Sequence, residues 1–214
     1  MQISKRQFIK KLTCSLAGLF VINKAFAFPI HKILNKNDMK DLVKITKENG
    51  FDVELDVRYA TTNNVTGQKI YDHPISFLHK DAAEALKRAI ELAKIQNLRF
   101  KLFDTFRPIT SQEFLFEKFP DGGFVSNPKT GSVPHCRGVA VDLTLIDANG
   151  NELDMGTDFD NFTDLAAHGS TKISALAQKN RYILFGIMMS AGWDFYRREW
   201  WHYQLFNARN YPII

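Results

Sequence analysis

The sequence predicts an α+β fold in one domain, a mostly antiparallel sheet flanked by helices, and three observations carry this expectation. Short stretches alternating apolar and polar residues recur at 51–58, 99–104 and 138–146. Two longer stretches, 81–97 and 174–192, read as helices that lie outside the sheet. A hairpin-type turn at 147–151 (DANGN) and two short strands near the end favour antiparallel pairing. The 214 residues suit one domain with a sizeable core, and 45% hydrophobic with 24% charged residues is an ordinary globular composition.

In chain order, residues 28–47 are polar and punctuated, and read as a linker or short helical lead-in before a domain at 48–214. Residues 51–58 (FDVELDVR) form a half-buried strand by alternation, and a loop rich in Thr, Asn and Gly follows at 61–68. The helix at 81–97 is the strongest in the chain. Asp81 can cap it or place negative charge in its first turn, and Ala82, Ala85, Leu86, Ala89, Ile90 and Ala93 share one face. Residues 99–104 (RFKLFD) make a second strand, and Thr110 or Ser111 can cap a helix running to about Lys118. The stretch 120–134 holds three Gly and three Pro and is a long loop, of the kind that often carries function. A third strand at 138–146, the helix at 174–192 closed by Gly192, and short strands at 194–196 and 201–206 complete the chain.

The formal charge is +5, from 28 Lys and Arg against 23 Asp and Glu, and its location matters more than its size. Lys5, Arg6, Lys10, Lys11 and Lys24 lie in residues 1–27, which hold no acid, so the remainder carries no net charge. A neutral body gives no electrostatic ground for a nucleic-acid partner. The leader has a basic start, an uncharged, largely apolar run at 12–22, and the small residues of Ala25-Phe26-Ala27, the pattern of a secretory signal peptide at 1–27 cleaved after Ala27. A run of eleven residues is too short to span a bilayer, which takes about 20, so no stable membrane anchor is expected after cleavage. Residues 4–10 also resemble a twin-arginine export motif with Lys5 in the first arginine place, and both export routes stay open. The expected location is exported and periplasmic. The chain after the leader keeps one cysteine, Cys136, so no disulfide forms within it.

The residues able to carry chemistry are few. His135 and Asp142 stand seven apart at the start of a strand, where a regular period of two would send them to opposite faces. They converge only if His135 lies on the loop before the strand, which Pro134 and Gly138 favour. Glu199 and His202 stand three apart on a turn entering the last strand. Two His and one Asp form the ligand set of a catalytic zinc site with its fourth position open to water, beside which Glu199 can serve as a non-ligating base. Spacing alone does not separate this arrangement from ordinary surface or core residues.

The segments SVPHCRGVAVDLT (132–144) and EWWH (199–202) resemble the D-alanyl-D-alanine dipeptidases, the vancomycin-resistance-type zinc peptidases with a hedgehog/DD-peptidase-like fold. RYATTNNVTG (58–67), DTFRP (104–108) and MGTDFD (155–160) also match family segments in the family's order, so the likeness spans roughly residues 40–207. The resemblance implies one Zn2+ per chain, with His135, Asp142 and His202 as ligands and Glu199 as general base. Arg107 is then the residue that stabilises the oxyanion, Asp160 the carboxylate that receives the substrate ammonium, and Tyr59 a wall of the substrate pocket. The family serine two places before the first ligand is Val133 here, and Ser132 lies one place further back. The function implied is hydrolysis of D-Ala-D-Ala to two D-alanines. Its alternatives are a D,D-carboxypeptidase or endopeptidase acting on peptidoglycan stem peptides, and a non-catalytic zinc-containing wall-binding module.

Other conspicuous residues have plainer readings. Trp200 and Trp201 are expected as core and pocket walls, and Cys136 as a small, partly buried residue. Asp104 is expected to orient Arg107 or end its strand. His31, His73, His79 and His168 are expected on the surface or in loops.

Overall fold

The computed structural model describes residues 38–120 and 123–214. The leader at 1–27, its cleavage point, the twin-arginine-like segment and His31 lie outside the described residues. Five strands form the main sheet: β2 (Val53–Leu55), β4 (Arg99–Asp104), β5 (Ala140–Ile146), β6 (Trp193–Phe195) and β7 (His202–Leu205), in the order β2-β4-β5-β7-β6. Only β2 and β4 run parallel in it, and the other three pairings are antiparallel. A second, two-stranded antiparallel sheet pairs β1 (Leu42–Lys44) with β3 (Phe77–His79). Among the described residues three helices, α1 (Lys80–Ile95), α2 (Ile109–Lys118) and α3 (Ala175–Ser190), complete the α+β architecture.

The helix α1 forms where its periodicity places it, and the six apolar residues of the expected face are all buried. Of the two roles open to Asp81, the structure has the second, negative charge in the first turn. The His79 side chain, not that of Asp81, accepts from the Asp81 N–H, and Asp81 lies inside the first turn. At α2 the cap position is Pro108, with no side-chain cap. Ser111, expected as a possible cap, is one turn further in and buried. Proline's fixed φ suits a helix entrance, which leaves the hydroxyls free to face inward. The expected strand at 51–58 shortens to β2, because the chain turns into a 3-10 helix at Arg58–Ala60.

Residues 38–47, within the stretch expected as linker or lead-in, hold the 3-10 turn Asp38–Asp41 and then β1, and Ile45 is fully buried. Three residues are too short a run to show an alternation. The pairing partner β3 likewise lies in a stretch without a sequence signal.

Strand β5 is the centre of the molecule, buried at every residue. Its pairing with β4 contains a bulge between Leu102 and Asp104. Leu102 opposes Leu143, and Asp104 opposes Asp142, so Phe103 is the extra residue. Successive strand residues face opposite ways, and a one-residue insertion reverses every side chain beyond it. The bulge therefore lets Leu102 face the core while Asp104 shares the face of Asp142. On the other side, Asp142 opposes His202 of β7.

Helix α3 reaches across to the loop that follows β5. The Arg181 side chain is fully buried and donates to the carbonyls of Met155, Leu165 and Ala167, at 2.7, 3.0 and 2.8 Å. Those three bonds fix the 155–167 loop, which carries Asp160. Among the described residues no helix is long and apolar enough to cross a membrane.

Candidate metal centre

His135 lies on a 3-10 turn, Pro134–Arg137, immediately before β5, which is the condition its spacing from Asp142 required. The turn is set by two left-handed residues, Val133 at φ +40° and Gly138 at φ +65°. His135 Nε2 stands 3.1 Å from His202 Nδ1 and 3.3 Å from Asp142 Oδ1, and His202 Nδ1 stands 2.9 Å from Asp142 Oδ1. All three residues are buried.

The tautomers follow from the outward-facing nitrogens. His135 Nδ1 lies 2.7 Å from the Thr105 carbonyl, which can only accept, so that nitrogen carries the proton and Nε2 presents a lone pair inward. His202 Nε2 faces Gln204 Oε1 at 3.3 Å, which leaves Nδ1 bare in the same way. Two imidazole nitrogens and a carboxylate oxygen thus converge on one point, and with both rings in these tautomers a cation can accept from all three. Bonds of about 2.0–2.1 Å to a tetrahedral zinc would space donor atoms by about 3.3 Å, close to the separations seen. The donor set fits such an ion, and the outward contacts are those that orient ligating histidines.

Around this point lie three further charged groups. Glu199 is buried, its Oε1 has no hydrogen-bond partner among the described residues, and its Oε2 lies 4.0 Å from His202 Nδ1. Burial, reinforced by the charges of Asp142 and Asp160, pushes its carboxyl well above the ordinary range. Arg107 is held by Asp104, whose Oδ2 accepts from Nε at 3.0 Å and Nη2 at 2.8 Å. Burial opposes the guanidinium charge, and Asp104 more than offsets it, so Arg107 stays cationic. Its Nη2 is 3.7 Å from Asp142 Oδ2, which brings the positive group to the edge of the donor set. Asp160, at φ +59°, accepts from the Tyr59 hydroxyl at 3.1 Å and the Val65 N–H at 3.3 Å. Burial pushes its carboxyl up to about 7 despite the Val65 N–H, with the Asp142 charge adding to the rise.

Tyr59, Arg107, Ser132, His135, Asp142, Asp160, Glu199 and His202 all line one cavity of about 290 Å³. Every site residue marked in the sequence therefore reaches the same space. Ser132 reaches it least specifically. It is half-buried, and its carbonyl, not its hydroxyl, has the recorded bond, accepting from Arg137 Nε at 2.7 Å.

Asp104 orients Arg107, as expected, and its other oxygen accepts from Tyr71 at 2.9 Å. Trp201 is both core and pocket wall, and Trp200 is core. Cys136 is wholly buried, which pushes its thiol up to about 12 and leaves it inert at ordinary pH. His73 is exposed as expected, but His79 and His168 are buried. His79 caps α1, and His168 packs edge-on against Phe185, Phe195 and Tyr203. Amphipathic imidazoles pack readily beside aromatic rings, and no sequence spacing marks such a position. The sequence also did not single out Thr105, Gln112 or Gln204, since a backbone carbonyl and two isolated amides leave no pattern.

A cation in this pocket would stand beside a carboxylate able to take a proton and a guanidinium able to receive negative charge, which is the equipment of a metal-dependent hydrolase. Comparison with known proteins narrows that class. Residues 38–212 match the family Peptidase_M15, described as D-ala-D-ala dipeptidase. A D-alanyl-D-alanine dipeptidase of Escherichia coli strain K12 is 38% identical over 163 residues, covering 76% of this chain and 84% of the relative. Dipeptidases of the same name from Enterococcus faecium and Enterococcus faecalis are each 30% identical, covering 72% and 74% of this chain and 86% and 92% of the relatives. The chain belongs to this metallopeptidase family, and the hedgehog/DD-peptidase-like α+β fold expected from the resemblance agrees with the architecture described above.

Proposed function

We propose that the protein is an exported zinc dipeptidase that hydrolyses D-Ala-D-Ala to two D-alanines. The observation that carries the substrate is the buried carboxylate of Asp160, set in the same cavity as the donor residues and bonded by Tyr59. A free ammonium would pair with it, whereas a longer peptide presents an amide there and leaves a buried charge unmatched. The same contact disfavours stem-peptide substrates. Retention of both Glu199 and Arg107 disfavours a non-catalytic wall-binding role, which needs neither.

His135, Asp142 and His202 would hold the zinc. Zinc supplies a water acidic enough to yield hydroxide near neutral pH, and it polarises a carbonyl. Glu199, buried and with Oε1 unpaired among the described residues, would take a proton from the attacking water and return it to the leaving amine. Arg107, already oriented by Asp104, meets the developing oxyanion without reorganising. Asp160 and Tyr59 orient the dipeptide from its amine end.

The leader pattern supports export, and an exported enzyme cannot reach a cytoplasmic precursor pool, so the role favoured is scavenging or turnover of wall-derived dipeptide. Zinc-loaded protein should be incubated with D-Ala-D-Ala, its N-acetylated form and a stem pentapeptide. Cleavage of the free dipeptide alone, lost in Glu199→Ala while zinc still binds, is the expected result. Cleavage of the pentapeptide in preference, or wild-type-like turnover by the variant, would sink the reading.

A further inference from the structure

The 123–134 loop forms a wall of the cavity and leads into the turn that carries His135. Gln112, on the first turn of α2 and 2% exposed, joins that loop to Arg107. Its Oε1 accepts from Arg107 Nη1 at 2.9 Å, and its Nε2 donates to the Ser126 carbonyl at 2.6 Å. Asp104 binds the opposite edge of the guanidinium, through Nε and Nη2. The two residues together hold all three nitrogens of the fork. A side-chain amide is the group suited to this place. A carboxylate could accept from the arginine but not donate to a carbonyl, and an ammonium could do only the reverse.

Beyond Ser126 the loop is closed tightly on itself. The Val133 N–H donates to Ser126 Oγ at 3.3 Å, and the Gly131 N–H to the Asn127 carbonyl at 2.7 Å. A Cβ at Gly131 would lie 2.2 Å from Ser126 Oγ and 2.6 Å from the Asn127 carbonyl, so no larger residue fits. Val133 itself is held at φ +40°, a conformation that a β-branched residue keeps only where its surroundings impose it.

We propose that Gln112 is a positioning residue that fixes the Arg107 guanidinium to the 123–134 loop, so that the oxyanion donor and the pocket wall move as one body. The inference rests on the role of Arg107 given above. The amide carries two separable contacts, and two variants divide them. Gln112→Met removes both at similar size, and Gln112→Glu keeps an acceptor for Arg107 while losing the donor to Ser126.

The full chain, zinc-loaded, should be assayed for kcat and KM on D-Ala-D-Ala, zinc affinity, thermal stability, and hydrogen exchange over 123–133. In Q112M, kcat should fall roughly 10- to 100-fold, the scale set by misplacing a catalytic group by about 1 Å, with KM within about twofold. Zinc affinity should be unchanged and loop exchange faster. Q112E should recover part of kcat and keep the faster exchange. Wild-type kcat in Q112M, a fall matched by equal losses of zinc affinity or thermal stability, or no recovery in Q112E would overturn the proposal. If the wild type cleaves no D-Ala-D-Ala, the proposed function fails, and hydrogen exchange alone decides about Gln112, unchanged exchange in Q112M overturning its role.

Discussion

Asp160 occupies a left-handed backbone conformation that few residues other than glycine adopt, and it does so while buried and bonded by Tyr59 and Val65. Such positions persist when the surroundings over-determine them, here through the Arg181 bonds that fix the loop. If the carboxylate receives the substrate amine, Asp160→Asn should lower kcat/KM for the free dipeptide by roughly 30- to 5,000-fold, the range for losing one partner of a buried charge pair. Inhibition by the N-acetylated dipeptide, which has no ammonium to lose, should change far less, and steady-state kinetics with and without it checks this. His168 makes a different kind of prediction. Burial, with the Arg181 charge next in importance, pulls its imidazole down to about 4 from an ordinary 6.5. The neutral ring is therefore favoured in the folded protein. Its contribution is fully present above about pH 6.5 and is lost as pH falls from there through 4. His168→Gln, which cannot titrate, should show a smaller drop in melting temperature between pH 7.5 and pH 5 than the wild type.

At the level of elements, the bulge in β4 and the turn before β5 place the site. Gly138 ends that turn at φ +65°, and an added Cβ would approach the His79 backbone nitrogen and Leu42 Cδ2 at 3.0 Å. Gly138→Ala should cost about 1–3 kcal/mol, which for a chain of this size lowers the melting temperature by about 2–4 °C per kcal/mol. Thermal unfolding measures it directly. These elements were unequally legible in the sequence. Helix α1 and strand β4 could be read because their apolar residues repeat at fixed periods over many positions. The need for His135 to precede its strand could be read too, because seven is an odd spacing. The Phe103 bulge could not, since nothing in RFKLFD distinguishes an inserted residue from a regular one, and only the pairing partner reveals it. Strands β1 and β3, three residues each, were below the length at which a pattern exists. Gln112 was invisible for a related reason, as its meaning depends on Ser126, which meets it only in the folded chain.

For the whole molecule, the separation of the donors along the chain governs what metal does to stability. Among the described residues no disulfide or other covalent link closes the fold, Cys136 being a buried free thiol. His135 and His202 are 67 positions apart in sequence and 3.1 Å apart in space. An ion bound by both, and by Asp142 between them, closes that long loop as a reversible cross-link. An unfolded chain does not present the three donors together, so a metal held by them would bind the native state and raise its stability by about 2.7 kcal/mol when free metal is a hundred times Kd. Removing metal with a chelator should lower the melting temperature by roughly 5–10 °C, and adding zinc back should restore it. A melting temperature indifferent to chelation would count against the donor set. The donors belong to β5, β7 and the turn before β5, so the full set comes together only after strands distant in sequence have paired. On the proposed function, a molecule whose last strands have not docked would lack the complete donor set, and with it the metal-dependent hydrolysis.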